Sequence, residues 1–236
     1  MNMILKKVCL VGDSVARGVI FDAVRGKYVF LKNCFANIIG AETGIEIENF
    51  AKFGCTVEAA ERIVEKNANK IANTEYCVLE IGGNDCDFEW AKIAETPDDD
   101  HFPNTPMDRF ITGYTAIIEK IKALGSKPVV LSLPPLDAKK YFAWISRGVS
   151  KENILKWLGG SEQYIYRWHE MYNLQVANLA KKLDVLFIDI RSIFLQEKNY
   201  ERLLCEDGIH PNEEGHRLIS NAIESALTTA PASTFA

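Results

Sequence analysis

A chain of 236 residues, 47% of them hydrophobic, fits one large globular domain better than two and can bury a core without disulfides or metals. Its 27 basic and 32 acidic residues give a net charge of −5, and the basic residues are scattered, so we expect no nucleic-acid partner. No apolar run reaches the length of a membrane span, and we therefore expect no membrane partner either.

The cysteines favour a reducing compartment. None of the six is spaced as C-x-x-C, and several lie in apolar runs, where cysteine behaves as a small hydrophobic residue. The first residues, MNMILKKVCLVGDS, do not have the form of a signal peptide, because Lys6 and Lys7 interrupt a short apolar stretch and no small-residue cleavage site follows. These features predict a reduced, cytoplasmic protein.

Five short apolar runs that favour β-structure alternate with segments of helical periodicity. They lie at 4–12, 45–51, 75–81, 127–133 and 184–190. Three of the runs are almost continuously apolar, as expected of strands that are covered on both faces. Strands that alternate with helices predict right-handed crossovers and a parallel sheet between helical layers, in a single domain over 1–236.

Four helices are predicted from apolar stripes at a spacing of three or four residues. The first three stripes run over 31–39, 110–124 and 165–183. The last helix follows Pro211, with Asn212 as its expected N-cap. Its predicted buried side consists of Leu218, Ile219, Ala222, Ile223 and Leu227.

Two segments interrupt this alternation. Residues 85–106 are polar and acidic, and we interpret them as a solvated loop; a metal site at DDDH (98–101) is the less favoured alternative. Residues 134–163 form an excursion after the fourth strand. Eight of the 24 aromatic residues lie between 141 and 172. They are compatible with packing onto the core, with a flap that lines a pocket, and with a subunit interface of a homo-oligomer.

Polar residues suited to catalysis come after four of the predicted strands. They are Ser14 after the first strand, Gly54 after the second, Asn84 after the third, and Asp207 with His210 after the fifth. Ligands of open α/β sheets bind at the carboxyl ends of the strands. All five residues are therefore expected at one edge of the sheet.

These residue types match the requirements of acyl transfer. A serine hydroxyl becomes nucleophilic when a neighbouring base such as His210 takes its proton, and Asp207 can orient and stabilise that imidazole. A tetrahedral oxyanion needs hydrogen-bond donors. The candidates are the backbone N–H groups of Ser14 and Gly54 and the side-chain amide of Asn84.

The motifs GDS, a lone glycine in the second block, GGND and DGIH resemble, in this order, the four blocks of the SGNH hydrolase family, also called GDSL-type esterases and lipases. The resemblance spans residues 12–210 and implies a three-layer flavodoxin-like fold with strand order 2-1-3-4-5. It also implies a serine esterase with Ser14 as nucleophile, Asp207 and His210 completing the triad, and Gly54 and Asn84 in the oxyanion hole. The chain has GDSV where GDSL is commoner, which we expect to be without consequence.

Three of these residues also have a structural explanation. Ser14 is a favoured type of helix N-cap, and Gly54 and Asn84 are common in turns. His169 follows Trp168 in a predicted helix, and we expect a surface or structural role for it rather than ligand binding.

We therefore expect cleavage of a small acyl ester, such as an O-acetylated carbohydrate or a short-chain ester, through an acyl-enzyme and without metal or cofactor. Lysophospholipids and thioesters stay open as substrates, and Trp144 and Trp157 are candidates for binding them. One alternative is a metal-dependent phosphoesterase, for which the chain offers no second histidine at a strand end. The other is a non-catalytic binding protein on the same scaffold. A missing triad residue would have favoured this alternative, and none is missing.

Overall fold

The computed structural model describes residues 6–229, which contain seven β-strands. These are β1 (Lys7–Gly12), β2 (Val19–Asp22), β3 (Lys27–Phe30), β4 (Glu46–Asn49), β5 (Tyr76–Glu80), β6 (Lys127–Leu131) and β7 (Leu186–Ile188). Five of them form a parallel sheet in the order β4-β1-β5-β6-β7, while β2 and β3 form a separate antiparallel hairpin. Counted along the chain within the sheet alone, the order is 2-1-3-4-5.

The same residues form eleven α-helices and one 3₁₀-helix at Tyr200–Leu203. The α-helices are α1 (Ser14–Arg17), α2 (Phe35–Thr43), α3 (Val57–Lys66), α4 (Ala68–Ile71), α5 (Trp90–Glu95), α6 (Met107–Ala123), α7 (Ala138–Ile145), α8 (Lys151–Trp157), α9 (Gln163–Lys182), α10 (Arg191–Leu195) and α11 (Glu213–Thr229). No helix within the described residues has the length and apolar character needed to cross a membrane.

The sheet lies between two helical layers, and its side chains alternate between them. Cys9 and Val11 of β1 pack with residues of α3, α6 and α9 on one face. Val8 and Leu10 pack with residues of α2 and α11 on the other. This alternation is the two-residue period of a strand that is covered on both sides. The predicted α/β fold with a parallel sheet between helices is confirmed.

The five predicted strands all exist but are shorter than the apolar runs, and the β2–β3 hairpin was not predicted. Its two strands have only four residues each, and most of β3 is exposed, so no buried pattern marks it. The interpretation of 85–106 as a loop was wrong in part, because α5 lies within it.

The excursion at 134–163 contains two short helices that the sequence analysis did not predict. Asp137 caps α7, since its Oδ1 accepts hydrogen bonds from the backbone of Lys139 and Lys140. Ser150 caps α8 in the same way through the backbone N–H of Asn153. Together with α5 and the start of α9, these helices enclose a third apolar cluster at the carboxyl-end edge of the sheet.

Gly12 allows α1 to begin directly against β5. A Cβ atom at this position would lie 2.5 Å from Cβ of Ala16 and 2.7 Å from the backbone oxygen of Glu80. We expect Gly12→Ala to lower the free energy of unfolding by about 1–3 kcal/mol, because backbone atoms must shift to admit the methyl group. Urea denaturation measures this loss, and an unchanged transition midpoint would contradict the close approach.

Candidate active site

Ser14, His210 and Asp207 form one continuous chain of hydrogen-bonding groups. The Oγ atom of Ser14 lies 2.9 Å from Nε2 of His210, although the two residues are 196 positions apart. Nδ1 of His210 lies 2.6 Å from Oδ2 of Asp207. The three residues are 7%, 3% and 0% exposed, respectively. This arrangement can pass a proton from the serine hydroxyl to the imidazole.

The loop that carries Asp207 and His210 is fixed by its own backbone and by α7. The backbone N–H groups of Ile209 and His210 both donate to Oδ1 of Asp207 at 3.1 Å. Gly208 has a φ of 76°, and its carbonyl accepts a hydrogen bond of 2.8 Å from the backbone of Asp137. A Cβ atom on Gly208 would lie 2.6 Å from the backbone nitrogen of Tyr141, so only glycine fits this contact.

The environment of Asp207 keeps its carboxylate charged. Burial alone would raise the pKa of this group, but the hydrogen bonds from His210 and the backbone outweigh it and hold the pKa below its usual range. A charged carboxylate at this position accepts the proton on Nδ1 of His210. Nε2 is then the basic nitrogen that faces the hydroxyl of Ser14.

Asp13, and not Ser14, caps the first helix. The Oδ1 atom of Asp13 accepts a hydrogen bond of 2.8 Å from the backbone of Val15, and α1 begins at Ser14. The structural explanation of Ser14 as an N-cap was therefore wrong. Its hydroxyl is left to contact His210.

A second carboxyl group, Glu80 at the end of β5, lies next to Asp13. Burial raises the pKa of Glu80 well above its usual range, and the negative charge of Asp13 and the hydrogen bond between the two groups raise it further. Burial also raises the pKa of Asp13, but hydrogen bonds from Val15, Glu80 and Asn84 favour its charged form, so Glu80 is the partner that holds the proton. Glu80 was not among the predicted site residues, although a glutamate within the apolar run CVLEI is a signal for a buried polar group.

Two of the predicted oxyanion donors are available. Within residues 6–229, neither the backbone N–H of Ser14 nor that of Gly54 donates a hydrogen bond to a protein group. Gly54 lies in a turn with a φ of 71°, a conformation that favours glycine. The turn is closed by a hydrogen bond of 3.2 Å from the backbone of Cys55 to the carbonyl of Lys52.

The third predicted donor, the amide of Asn84, is close to this turn but already has partners. Its Nδ2 atom donates to Oδ2 of Asp13 at 3.0 Å and to the carbonyl of Cys55 at 3.3 Å. The charged Asp13 thus orients the amide. To serve an oxyanion, Asn84 would exchange the longer contact with Cys55 for one with the substrate.

Asp85 connects the GGND loop to the turn that contains Gly54. Both of its carboxylate oxygens accept a hydrogen bond from the backbone of Val57, the first residue of α3, at 2.9 and 3.1 Å. The start of α3 has no cap from its own Thr56, so Asp85 satisfies this N–H group from a distant part of the chain. Burial raises the pKa of Asp85 to about 6.

A cavity of about 80 Å³, here called the inner pocket, opens beside Ser14 and His210. Apolar and aromatic side chains from four different parts of the chain form most of its wall, among them Phe88, Leu133, Leu136, Tyr141, Leu158 and Trp168. Asp87 also reaches the inner pocket, and it accepts hydrogen bonds from Tyr141 at 2.6 Å and from Trp90 at 2.7 Å.

Neither Trp144 nor Trp157 belongs to the wall of the inner pocket. Trp157 lies behind it, with its ring centroid 5.0 Å from that of Phe88. Trp144 packs against the unpredicted hairpin, 4.5 Å from the ring of Phe21. The structure therefore does not bring these two tryptophans into the predicted pocket, because α7 and α8 turn them towards other rings.

A second group of aromatic side chains, here called the outer rim, consists of Tyr28, Phe53 and Trp144. The ring of Tyr28 lies 5.3 Å and that of Phe53 6.2 Å from the imidazole of His210, and Trp144 lies 6.2 Å from Tyr28. Tyr28 is 37% and Phe53 57% exposed. The outer rim therefore offers an open aromatic surface beside the imidazole of His210.

The acidic stretch DDDH behaves as a surface segment. Asp98 lies 2.6 Å from the ammonium group of Lys156, and His101 contacts the carbonyl of Thr96 at 2.8 Å. No group of three histidine, cysteine, aspartate or glutamate side chains with the geometry of a metal site occurs in the part of the chain that the structure describes.

Comparisons with known proteins identify the family of this chain. A profile of the GDSL-like lipase/acylhydrolase family matches residues 10–218, which include Ser14, Asn84 and His210. The chain belongs to the GDSL-like lipase/acylhydrolase family. A curated member, GDSL esterase/lipase WDL1 of rice (Oryza sativa subsp. japonica), is 23% identical over 133 residues. That match covers 54% of this chain and 46% of the rice protein, so it spans about half the length of the relative.

Solved structures of other members share the fold. A lipase/acylhydrolase from Enterococcus faecalis superimposes with a TM-score of 0.67 at 15% identity, over 94% of this chain and 95% of that one. A catalytic mutant of an acetylxylan esterase from Geobacillus stearothermophilus gives a TM-score of 0.65 at 16% identity, over 95% of each chain. At these identities the likeness concerns the fold.

The raised pKa of Asp85 predicts a pH-dependent stability. The pKa of Asp85 is about 6 in the folded protein, whereas its ordinary value, which we assume for the unfolded chain, is 3.8. The unfolded chain therefore ionises first as pH rises from 3.8 to 6, and the free energy of unfolding falls over this range. Asp85→Asn keeps an acceptor for Val57 and cannot ionise. We expect its free energy of unfolding, relative to the wild type, to rise by about 2–3 kcal/mol from pH 4 to pH 7 in urea titrations. A constant difference would contradict the raised pKa.

Proposed function

We propose that this protein is a serine esterase that cleaves a small acyl ester through a covalent acyl-enzyme. The observation that carries the proposal is the hydrogen-bonded chain from Ser14 through His210 to Asp207, next to two unused backbone donors. Nucleophile, base and oxyanion donors are the three elements that acyl transfer requires.

In the first half of the reaction, Nε2 of His210 takes the proton of Ser14 as Oγ attacks the ester carbonyl. The backbone N–H groups of Ser14 and Gly54 stabilise the negative charge on the carbonyl oxygen, and the amide of Asn84 assists them. When the tetrahedral intermediate collapses, the bond to the alcohol oxygen breaks. The imidazolium of His210 donates its proton to that oxygen, and Asp207 stabilises the imidazolium in the meantime.

In the second half, water replaces the alcohol. His210 takes a proton from the water as it attacks the acyl-serine carbonyl, and returns the proton to Oγ of Ser14 as the acid leaves. The same donors stabilise the second tetrahedral intermediate. Each cycle thus consumes one ester and one water and regenerates the free serine.

The volume of the inner pocket favours a short acyl group. Its volume of about 80 Å³ is about half the roughly 150 Å³ of an apolar cavity that holds benzene. An acetyl group or a chain of a few carbons fits this space. The open aromatic surface of the outer rim suits a larger alcohol, and the fold shared with an acetylxylan esterase supports an O-acetylated carbohydrate as one such ester.

Removal of the nucleophile should abolish turnover. We expect Ser14→Ala to lower kcat for a nitrophenyl acetate by a factor on the order of 10⁴ to 10⁶, because no other group at this edge replaces the serine hydroxyl. Ser146→Ala, which changes a hydroxyl in the excursion, serves as the control. A folded Ser14→Ala protein with more than about a tenth of the activity would exclude Ser14 as nucleophile.

The amide of Asn84 should act mainly on kcat. We expect Asn84→Ala to lower kcat by roughly 10²–10³ with little change in KM, because the donor is needed by the oxyanion more than by the ground-state carbonyl. Asn104→Ala is a matched control, since the side chain of Asn104 donates to the backbone carbonyl of Asn84 at 2.9 Å and holds the same loop. If the two substitutions lower kcat equally, Asn84 only maintains the loop and does not stabilise the oxyanion.

A further inference from the structure

His169 is a buried polar side chain in the wall of the inner pocket. It lies on α9, is 7% exposed, and lines the same cavity as Ser14 and His210. A surface or structural role was predicted for His169 from the sequence. Because the side chain is buried, the surface role was wrong. The mechanism proposed above does not use His169.

The tautomer of His169 follows from its neighbour Arg191. Nδ1 of His169 lies 3.4 Å from Nη1 of Arg191. A guanidinium group has only donors and stays protonated in proteins, so Nδ1 must be the acceptor. Burial, and then the positive charge of Arg191, lower the pKa of His169 well below its usual range, so the ring is neutral. The single ring proton is therefore on Nε2.

Arg191 is itself held firmly in place. It is buried, and its Nη1 also donates to the carbonyls of Leu133 and Pro134 at 3.3 Å. Its Nη2 lies 2.6 Å from a carboxylate oxygen of Glu170. The guanidinium thus fixes both the orientation of the histidine ring and the loop that follows β6, which contributes to the same wall.

The Nε2–H group of His169 has no hydrogen-bond partner among residues 6–229. Three other side-chain donors around the inner pocket are used: Trp90 and Tyr141 donate to Asp87, and Trp168 donates to the carbonyl of Cys86 at 3.0 Å. The Nε2 atom of His169 is not sealed from the cavity, so its N–H group is available to a ligand oxygen, which can take the place of water there.

The part of the substrate that enters the inner pocket is the acyl group. His210 must protonate the alcohol oxygen, so the alcohol lies beside this residue, where Tyr28 and Phe53 leave an open aromatic surface. The acyl substituent then points away from that surface, into the cavity of about 80 Å³. Only a short chain fits there, and His169 is part of the wall that it meets.

We propose that the Nε2–H group of His169 binds an oxygen atom carried by the acyl group, so that the enzyme prefers short acyl groups with a hydroxyl, keto or ether oxygen over purely alkyl groups of the same length. The proposal rests on the ester hydrolysis proposed for Ser14. It adds a specificity-determining residue and a substrate class, namely esters of short oxygenated acids.

Matched esters separate this proposal from general esterase activity. Nitrophenyl butanoate and nitrophenyl methoxyacetate have acyl chains of equal length and differ by an ether oxygen in place of a methylene group; pentanoate and 3-methoxypropanoate form a second pair. For each pair, the ratio of kcat/KM is measured in wild type, His169→Phe and His169→Gln. Intrinsic differences in ester reactivity cancel when the ratios of the variants are compared with that of the wild type.

We expect His169→Phe to lower the preference for the oxygenated ester by roughly tenfold in at least one pair, because a hydrogen bond to the acyl oxygen is lost. His169→Gln retains an N–H donor and should keep a larger part of the preference than His169→Phe. Ratios unchanged in both variants, with Ser14-dependent hydrolysis intact, would overturn the role of His169 and leave the esterase proposal standing. Loss of Ser14 dependence would instead overturn the esterase proposal.

A binding measurement tests the same contact without turnover. Methyl methoxyacetate and methyl butanoate are titrated into Ser14→Ala and followed by nuclear magnetic resonance. We expect tighter binding of the oxygenated ester, and loss of that difference when His169→Phe is added. Equal affinities in Ser14→Ala would overturn the proposal, and thermal unfolding of each variant verifies that the fold is retained.

Discussion

Buried carboxyl groups impose the strongest constraint on this structure. Asp13, Glu80, Asp85 and Asp207 are all buried, and they lie at or beyond the carboxyl ends of the strands. Each carboxylate removed from water must be protonated, paired or hydrogen-bonded. Each of these groups forms hydrogen bonds with neighbouring residues of the site, and these hydrogen bonds hold the site together.

These hydrogen bonds differ in their chemistry, and each has a consequence for the proposed catalysis. The charge of Asp207 is balanced by donors from its own loop, which fixes the imidazole of His210. Glu80 holds the proton of the pair that it forms with Asp13, and the carboxylate of Asp13 orients the amide of Asn84. Hydrogen bonds of this kind preorganise a site, since the groups need not reorient as charge develops.

Short-range patterns could predict which residues meet at the candidate site but not the walls around them. Ser14, Asn84 and His210 each follow a strand or precede a helix, so their common edge follows from topology alone. The directions of Trp144 and Trp157 depend on how α7 and α8 dock, and the hairpin that carries Tyr28 has too few buried residues to mark its sequence. The burial of His169 depends on Arg191, 22 positions away, and no local pattern reports that pairing.

The two sides of the site differ in the discrimination that they allow. A wall of apolar side chains distinguishes acyl groups weakly, by about 1–3 kcal/mol per methylene, and mainly by excluding longer chains. A polar group in a largely apolar wall discriminates more sharply, because a substrate that lacks the matching atom leaves it unpaired. The inner pocket combines both features, whereas the outer rim is open and aromatic. For the ester hydrolysis proposed above, we therefore expect the enzyme to discriminate between acyl groups and to accept a range of alcohols beside His210.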